Sequence, residues 1–174
     1  MVIIIEGMDN TGKTTLATKL ADDLKMVWVN NRHKPKSYED MADWTYSMAE
    51  LARRNNVLFD RWCAISEPVY GPICRNINIA TEADLTGLYM YLQRMVPKHL
   101  VIWCKPPREV VISSIDTRDQ MEGVVANTHK LLDEYDERMK KVKLHLNVVE
   151  WDYTKDDYSK LRQVITGIWH GMVQ

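Results

Sequence analysis

Glycine, lysine and threonine stand at a fixed spacing near the start of the chain. Gly7-Met8-Asp9-Asn10-Thr11-Gly12-Lys13-Thr14 fits the pattern G-x-x-x-x-G-K-[ST], and Thr15 comes next. The chemistry this pattern serves is the holding of phosphates. Gly7 and Gly12 can take backbone angles closed to other residues. The N–H groups of Asn10, Thr11, Gly12, Lys13, Thr14 and Thr15 then converge at the positive end of a helix, where anions bind. Lys13 is expected to reach the β- and γ-phosphates of a nucleoside triphosphate, and the Thr14 hydroxyl to hold Mg²⁺.

Further along, Asp60-Arg61 closes a short apolar run. A carboxylate there can serve Mg²⁺ through water or accept a proton from an attacking hydroxyl, and a guanidinium can clamp a phosphoryl oxygen with its planar fork. Asp9 places negative charge inside the phosphate loop; it is either an acceptor-side group or a turn-favouring residue. Arg32-His33-Lys34-Pro35-Lys36 is either a binding site for an acidic substrate or a solvated loop. Arg118, at a break in the pattern, is either an arginine that closes over phosphates or a solvent-facing one.

The elements that must position these groups are set by periodicity. Val2 to Ile5 reads as a strand leading into the glycine turn, and Leu16, Leu20 and Leu24 give the next helix its buried face. Met26–Asn30, Val57–Phe59, Leu100–Cys104 and Leu144–Trp151 read as further strands. Helices are predicted from Ser37 to Arg53, from Thr81 to Pro97, after Pro106-Pro107, from about Met121 to Val142, and from Tyr158 to Met172. The stretch Cys63 to Asn78, with Pro68, Gly71 and Pro72, reads as irregular or as short helical pieces. Alternating strands and helices predict an α/β fold, a five-stranded parallel sheet with helices on both faces. Ligands of such sheets bind beyond the carboxyl ends of the strands, which is where Asp9, Lys13, Arg32, Asp60 and Arg61 fall.

The 174 residues suit one domain, 1–174. A formal net charge of −1 excludes a chain that is basic throughout and binds nucleic acid by bulk charge alone. Cys63, Cys74 and Cys104 lack zinc spacing and are expected as reduced thiols. No run approaches the ~20 apolar residues of a membrane span, and no leader is read at the N-terminus. The expectation is a soluble, cytoplasmic protein.

Three stretches resemble the thymidylate kinase group of P-loop nucleotide kinases. Ile5-Glu6-Gly7-Met8-Asp9-Asn10-Thr11-Gly12-Lys13-Thr14-Thr15 is similar to that group's E-G-x-D-G-x-G-K-[ST]-T. Phe59-Asp60-Arg61-Trp62, with Ser66 and Val69-Tyr70-Gly71, resembles D-R-[YWH]-x-x-S-x-x-A-Y-Q. Trp103-Cys104-Lys105-Pro106-Pro107-Arg108-Glu109 is similar to L-D-x-x-P-E. The resemblance implies a three-layer P-loop kinase fold with a short lid near 116–123, ATP and Mg²⁺ as cofactors, and a homodimer as a possible assembly. It implies that Lys13 and Arg61 stabilise the transferred phosphoryl and that Thr14 and Asp60 serve Mg²⁺. Asp9 would contact the acceptor, Arg118 would belong to the lid, and Ser66 and Tyr70 would shape the acceptor pocket; beside that resemblance, Arg32 and Trp62 are expected to meet Tyr70 there.

The departures lie on that side. The helix before the third strand reads Asp43-Trp44-Thr45-Tyr46-Ser47, without the group's phosphate-binding arginine, and Arg53 matches that position poorly. Gly71 stands where the group has its base-reading glutamine, and Ser113 or Ser114 replaces a lid arginine. The leading expectation is a kinase moving the ATP γ-phosphoryl to a thymidine-like nucleotide, its phosphate held by Arg32 or Lys34. The runner-up phosphorylates the hydroxyl of 5-hydroxymethyluracil in DNA, an activity of some virus-encoded kinases of similar build. A reading of another class is a regulatory P-loop ATPase without an acceptor.

Overall fold

The structure is a computed structural model and describes residues 1–30, 33–115, 120 and 122–171. Five strands form one parallel sheet: β1 (Val2–Glu6), β2 (Val27–Asn30), β3 (Val57–Asp60), β4 (His99–Cys104) and β5 (Val148–Trp151). Their order across the sheet is β2-β3-β1-β4-β5. The phosphate loop therefore leaves the central strand, and Ile5 pairs in register with Asp60 on one side and Ile102 on the other.

β1, β3 and β4 are buried along their whole length, the near-continuous apolar pattern of a sheet covered on both faces. Alternate residues serve the two layers. Ile3 and Ile5 point to the side covered by α1 (Lys13–Leu24) and α7 (Tyr158–Trp169), where they meet Leu16, Leu20, Leu161 and Ile165. Val2 and Ile4 point to the side covered by α2 (Tyr38–Arg54), α3 (Cys63–Tyr70), α4 (Glu82–Met95), α5 (Arg108–Ile115) and α6 (Thr128–Val142). Helix starts carry the caps that the sequence supplies. Ser37 accepts from the Asp40 amide, and Thr81 and Asp84 form a capping box.

Three boundaries differ from those expected. The long helix begins at Thr128 rather than near Met121, because Gly123 takes a left-handed angle (φ 82°) that no helix continues; Asn127 bonds back to its carbonyl at 2.8 Å. The last strand begins at Val148 rather than Leu144, because the amides of Leu144, His145 and Leu146 still bond to carbonyls of the preceding helix. The stretch after Trp62 is more regular than a proline, a glycine and a proline suggest: α3 runs straight into a π-helical turn, Gly71–Arg75. Pro68 removes the amide that would bond the Ala64 carbonyl, and the Tyr89 hydroxyl on α4 donates to that carbonyl instead, at 2.9 Å. Among the described residues no helix is long and apolar enough to cross a membrane, and Cys63, Cys74 and Cys104 are unbridged.

Candidate active site

The loop after β1 has the geometry that its glycines were expected to permit. Gly7 (φ 140°) and Gly12 (φ 83°) lie where a side chain is strained. A Cβ on Gly7 would come within 2.6 Å of the Cys104 carbonyl oxygen, and one on Gly12 within 2.9 Å of the Tyr153 ring. The Thr11 hydroxyl donates to the Met8 carbonyl at 2.8 Å and Lys13 Nζ donates to the same oxygen at 2.5 Å, closing the loop on itself. Across the β1–β3 register, Thr14 Oγ1 stands 3.2 Å from Asp60 Oδ2 and donates to it. This hydroxyl and carboxylate are hard oxygen donors of the kind Mg²⁺ takes. Among the described residues there is no cluster of three or more His, Cys, Asp or Glu side chains suited to a metal; a site completed by phosphate oxygens needs none.

Arg61 is the hub of the other half. Its backbone is left-handed (φ 74°), an uncommon state for a non-glycine residue that costs on the order of 1–3 kcal/mol and collects at functional sites. The Arg61 amide continues the sheet by bonding the Ile5 carbonyl at 2.9 Å, while the turn throws its side chain across the mouth of the phosphate loop. Nη2 donates to Asp9 Oδ1 at 2.6 Å and to the Tyr70 hydroxyl at 3.2 Å, and Nη1 donates to the Tyr135 hydroxyl at 2.7 Å. The Asp9 amide also donates to the Tyr70 oxygen, at 3.1 Å. Burial pushes the Asp9 carboxyl up, but Arg61 and then Lys13 outweigh it, so the group sits below the ordinary aspartate range and stays ionised. Burial first, and the nearby Arg61 charge second, bring the Lys13 ammonium down to about 8. An arriving polyphosphate reverses that repulsion.

Behind Arg61 lies Glu6, which stands in the loop motif but was given no role from the sequence. It is fully buried at the end of β1, accepts from the Trp62 amide at 2.6 Å, and has Oε2 3.4 Å from the Tyr135 hydroxyl. Burial raises its carboxyl from 4.5 to about 7 despite the opposing pull of Arg61. The folded chain thus keeps a proton that the unfolded chain has released above 4.5. This contribution to stability is present at low pH and is lost as pH rises towards 7. The stability difference between the wild-type chain and Glu6→Gln, followed by urea unfolding, is expected to shift by about 3 kcal/mol against wild type between pH 4.5 and 7. A flat difference across that window would place the titration elsewhere.

These groups face one cleft of about 670 Å³. Asp9, Asn10, Gly12, Lys13, Thr14, Thr15, Asp60, Arg61, Ser66 and Tyr70 all line it, so most of the sequence-derived set comes together. Gly7 and Thr11 shape the loop from behind; Thr11 is buried. Trp62 does not line the cleft. It packs in the core edge-on to Tyr89, with Nε1 donating to Thr45 Oγ1 at 3.2 Å; the left-handed turn at Arg61 directs the indole inward. Arg32 and Arg118 lie outside the described residues, as does most of the lid expected near 116–123. From that region Gln120 reaches the cleft, 3.5 Å from Asn10 Oδ1. Lys34 and His33 line the cleft, whereas Arg53 bonds Glu50 on the exposed end of α2. Glu67 and Arg75 also line it and carried no signal in the sequence beyond their nearness to Ser66 and Tyr70.

No family model and no curated protein matches the chain. Solved structures do. YorR protein from Bacillus subtilis, in complex with phosphorylated GDP, superposes with a TM-score of 0.76 at 20% identity, over 98% of this chain and 96% of that one. Deoxyadenosine kinase from M. mycoides, with the products dCMP and dCDP, gives 0.60 at 16% identity over 98% and 100%. Thymidylate kinase from Ehrlichia chaffeensis gives 0.51 at 16% identity over 98% of each chain. Sheet order, phosphate loop and these likenesses agree, and the chain has the fold of the P-loop kinases.

Proposed function

We propose that the chain is an ATP-dependent phosphotransferase that moves the γ-phosphoryl group to a nucleotide. The observation that carries this reading is the meeting, in one cleft, of a donor half (Lys13, Thr14, Asp60) and an acceptor half (Asp9, Arg61, Tyr70). A nucleotide switch has use for the first and none for the second. The thymidylate kinase among the solved neighbours supports the choice of a nucleotide acceptor.

In this reading the loop amides and Lys13 hold the donor phosphates; Thr14 and Asp60 would hold Mg²⁺, which would supply positive charge to offset that of the phosphates. Arg61 is fixed by its contacts with Asp9, Tyr70 and Tyr135, so its fork meets the transferred group without reorganising. Asp9, ionised and within the cleft, orients the acceptor. Lys34 supplies the positive end for an acceptor phosphate.

The test offers γ-labelled ATP with mononucleotides, with 5-hydroxymethyl-dUMP, and with duplex DNA containing thymine or 5-hydroxymethyluracil. Label is expected on a mononucleotide. Label found only in DNA would replace the acceptor in this reading, and label found only as inorganic phosphate would replace it with an ATPase. In the same assay Asp9→Asn is expected to lower transfer by about 10²-fold or more, while ATP binding, followed by calorimetry, stays within about twofold.

A further inference from the structure

The wall of the cleft away from Lys13 carries a carboxylate and a guanidinium side by side. Glu67 on α3 is buried, with 7% of its surface exposed, and its Oε1 accepts from Arg75 Nη2 on the adjoining π-helical turn. Both line the same cleft as Asp9, Arg61 and Tyr70. Among the described residues Glu67 Oε2 takes no hydrogen bond. The carboxylate has room because residue 71 is glycine: a Cβ there would stand 2.7 Å from Glu67 Oε1.

A buried carboxylate only accepts, through about four lone-pair sites, and a guanidinium only donates. The base that fits them presents two adjacent N–H donors to the first and an acceptor to the second. Guanine does so: its N1–H and 2-amino group face a carboxylate together, and O6 or N7 accepts from arginine, the commonest specific arginine–base contact. Thymine offers one N–H flanked by carbonyls, which would face the Glu67 carboxylate with like charge. Adenine and cytosine each offer one amino group beside a ring acceptor. We infer that Glu67 and Arg75 form the base-reading subsite of the acceptor pocket and that the acceptor is a guanine nucleotide. This rests on the proposed kinase reading, and it names the substrate that the reading leaves open.

Binding decides the base and transfer decides the reaction, so both are measured. Calorimetric titrations with dGMP, dIMP, 7-deaza-dGMP, dAMP, dCMP and dTMP are run beside the labelled-ATP assay. dGMP is expected to bind best, and dTMP about 10²-fold more weakly or worse, because a mismatched base leaves buried charge unpaired. dIMP, which lacks only the 2-amino group, is expected to lose about 10-fold or more, and 7-deaza-dGMP a similar factor where Arg75 meets N7. In Glu67→Gln the advantage of dGMP over dIMP shrinks towards none; a purely structural ion pair would weaken both equally and keep their ratio. dTMP bound as tightly as dGMP, or a ratio of dGMP to dIMP unchanged in Glu67→Gln, overturns the guanine assignment and leaves the kinase reading standing. Guanine-selective binding without any phosphoryl transfer does the reverse.

Discussion

Lys13→Ala is expected to lower kcat by about 10³-fold, with the fold intact by circular dichroism. Lys13 is buried among Asp9, Asp60 and Arg61 and spends its proton on the Met8 carbonyl when no phosphate is near. In the proposed reading its charge is preset at the point where negative charge gathers during transfer. Loss of the side chain removes an ammonium that burial and Arg61 already disfavour, so the folded chain tolerates the change better than catalysis does. Single-turnover measurements at saturating ATP separate the two effects. Activity within a factor of ten of wild type would remove Lys13 from the phosphoryl centre.

The second large effect belongs to Arg61. Arg61→Lys is expected to lower kcat by about 10³-fold, the lower end of what a transition-state arginine contributes in phosphoryl transfer. Charge is conserved in this change, so the loss measures geometry. Three oxygens, on Asp9, Tyr70 and Tyr135, hold the two ends of one planar fork, and an ammonium reaches one such point at a time. The KM for ATP is expected to move far less than kcat, because the donor phosphates rest on the loop and Lys13. A change confined to KM would assign Arg61 to ground-state binding.

The donor half was legible in the sequence because its signals are local. A β-branched strand, a glycine pattern and an amphipathic helix fall within 24 residues, and each dictates the next. Asp60-Arg61 was legible as well, since the register that sets Asp60 beside Ile5 is fixed by the order of strands in a parallel sheet. The acceptor half was less so. Glu6 stood in the loop motif without a role, because its partners Trp62 and Tyr135 stand 56 and 129 residues away. Trp62 resembled a pocket residue because it is adjacent to Arg61, yet a left-handed residue reverses the direction in which the next side chain points. Glu67 and Arg75 became a pair only once a π-helical turn brought them level. Sequence periodicity conveys the face of an element; it is silent on which distant hydroxyl or carboxylate that face will meet.

The junction of Pro68 with Tyr89 has a consequence for how this wall behaves. A proline inside a helix is ordinarily a point of bending, where the chain swivels about an unpaired carbonyl. Here the neighbouring helix inserts its phenol into that gap, and α3 and α4 are mortised together. Ser66, Glu67 and Tyr70 therefore ride on a fixed block continuous with the core rather than on a paddle. In the proposed reading such a wall serves as a template, its donors and acceptors already placed when the acceptor arrives.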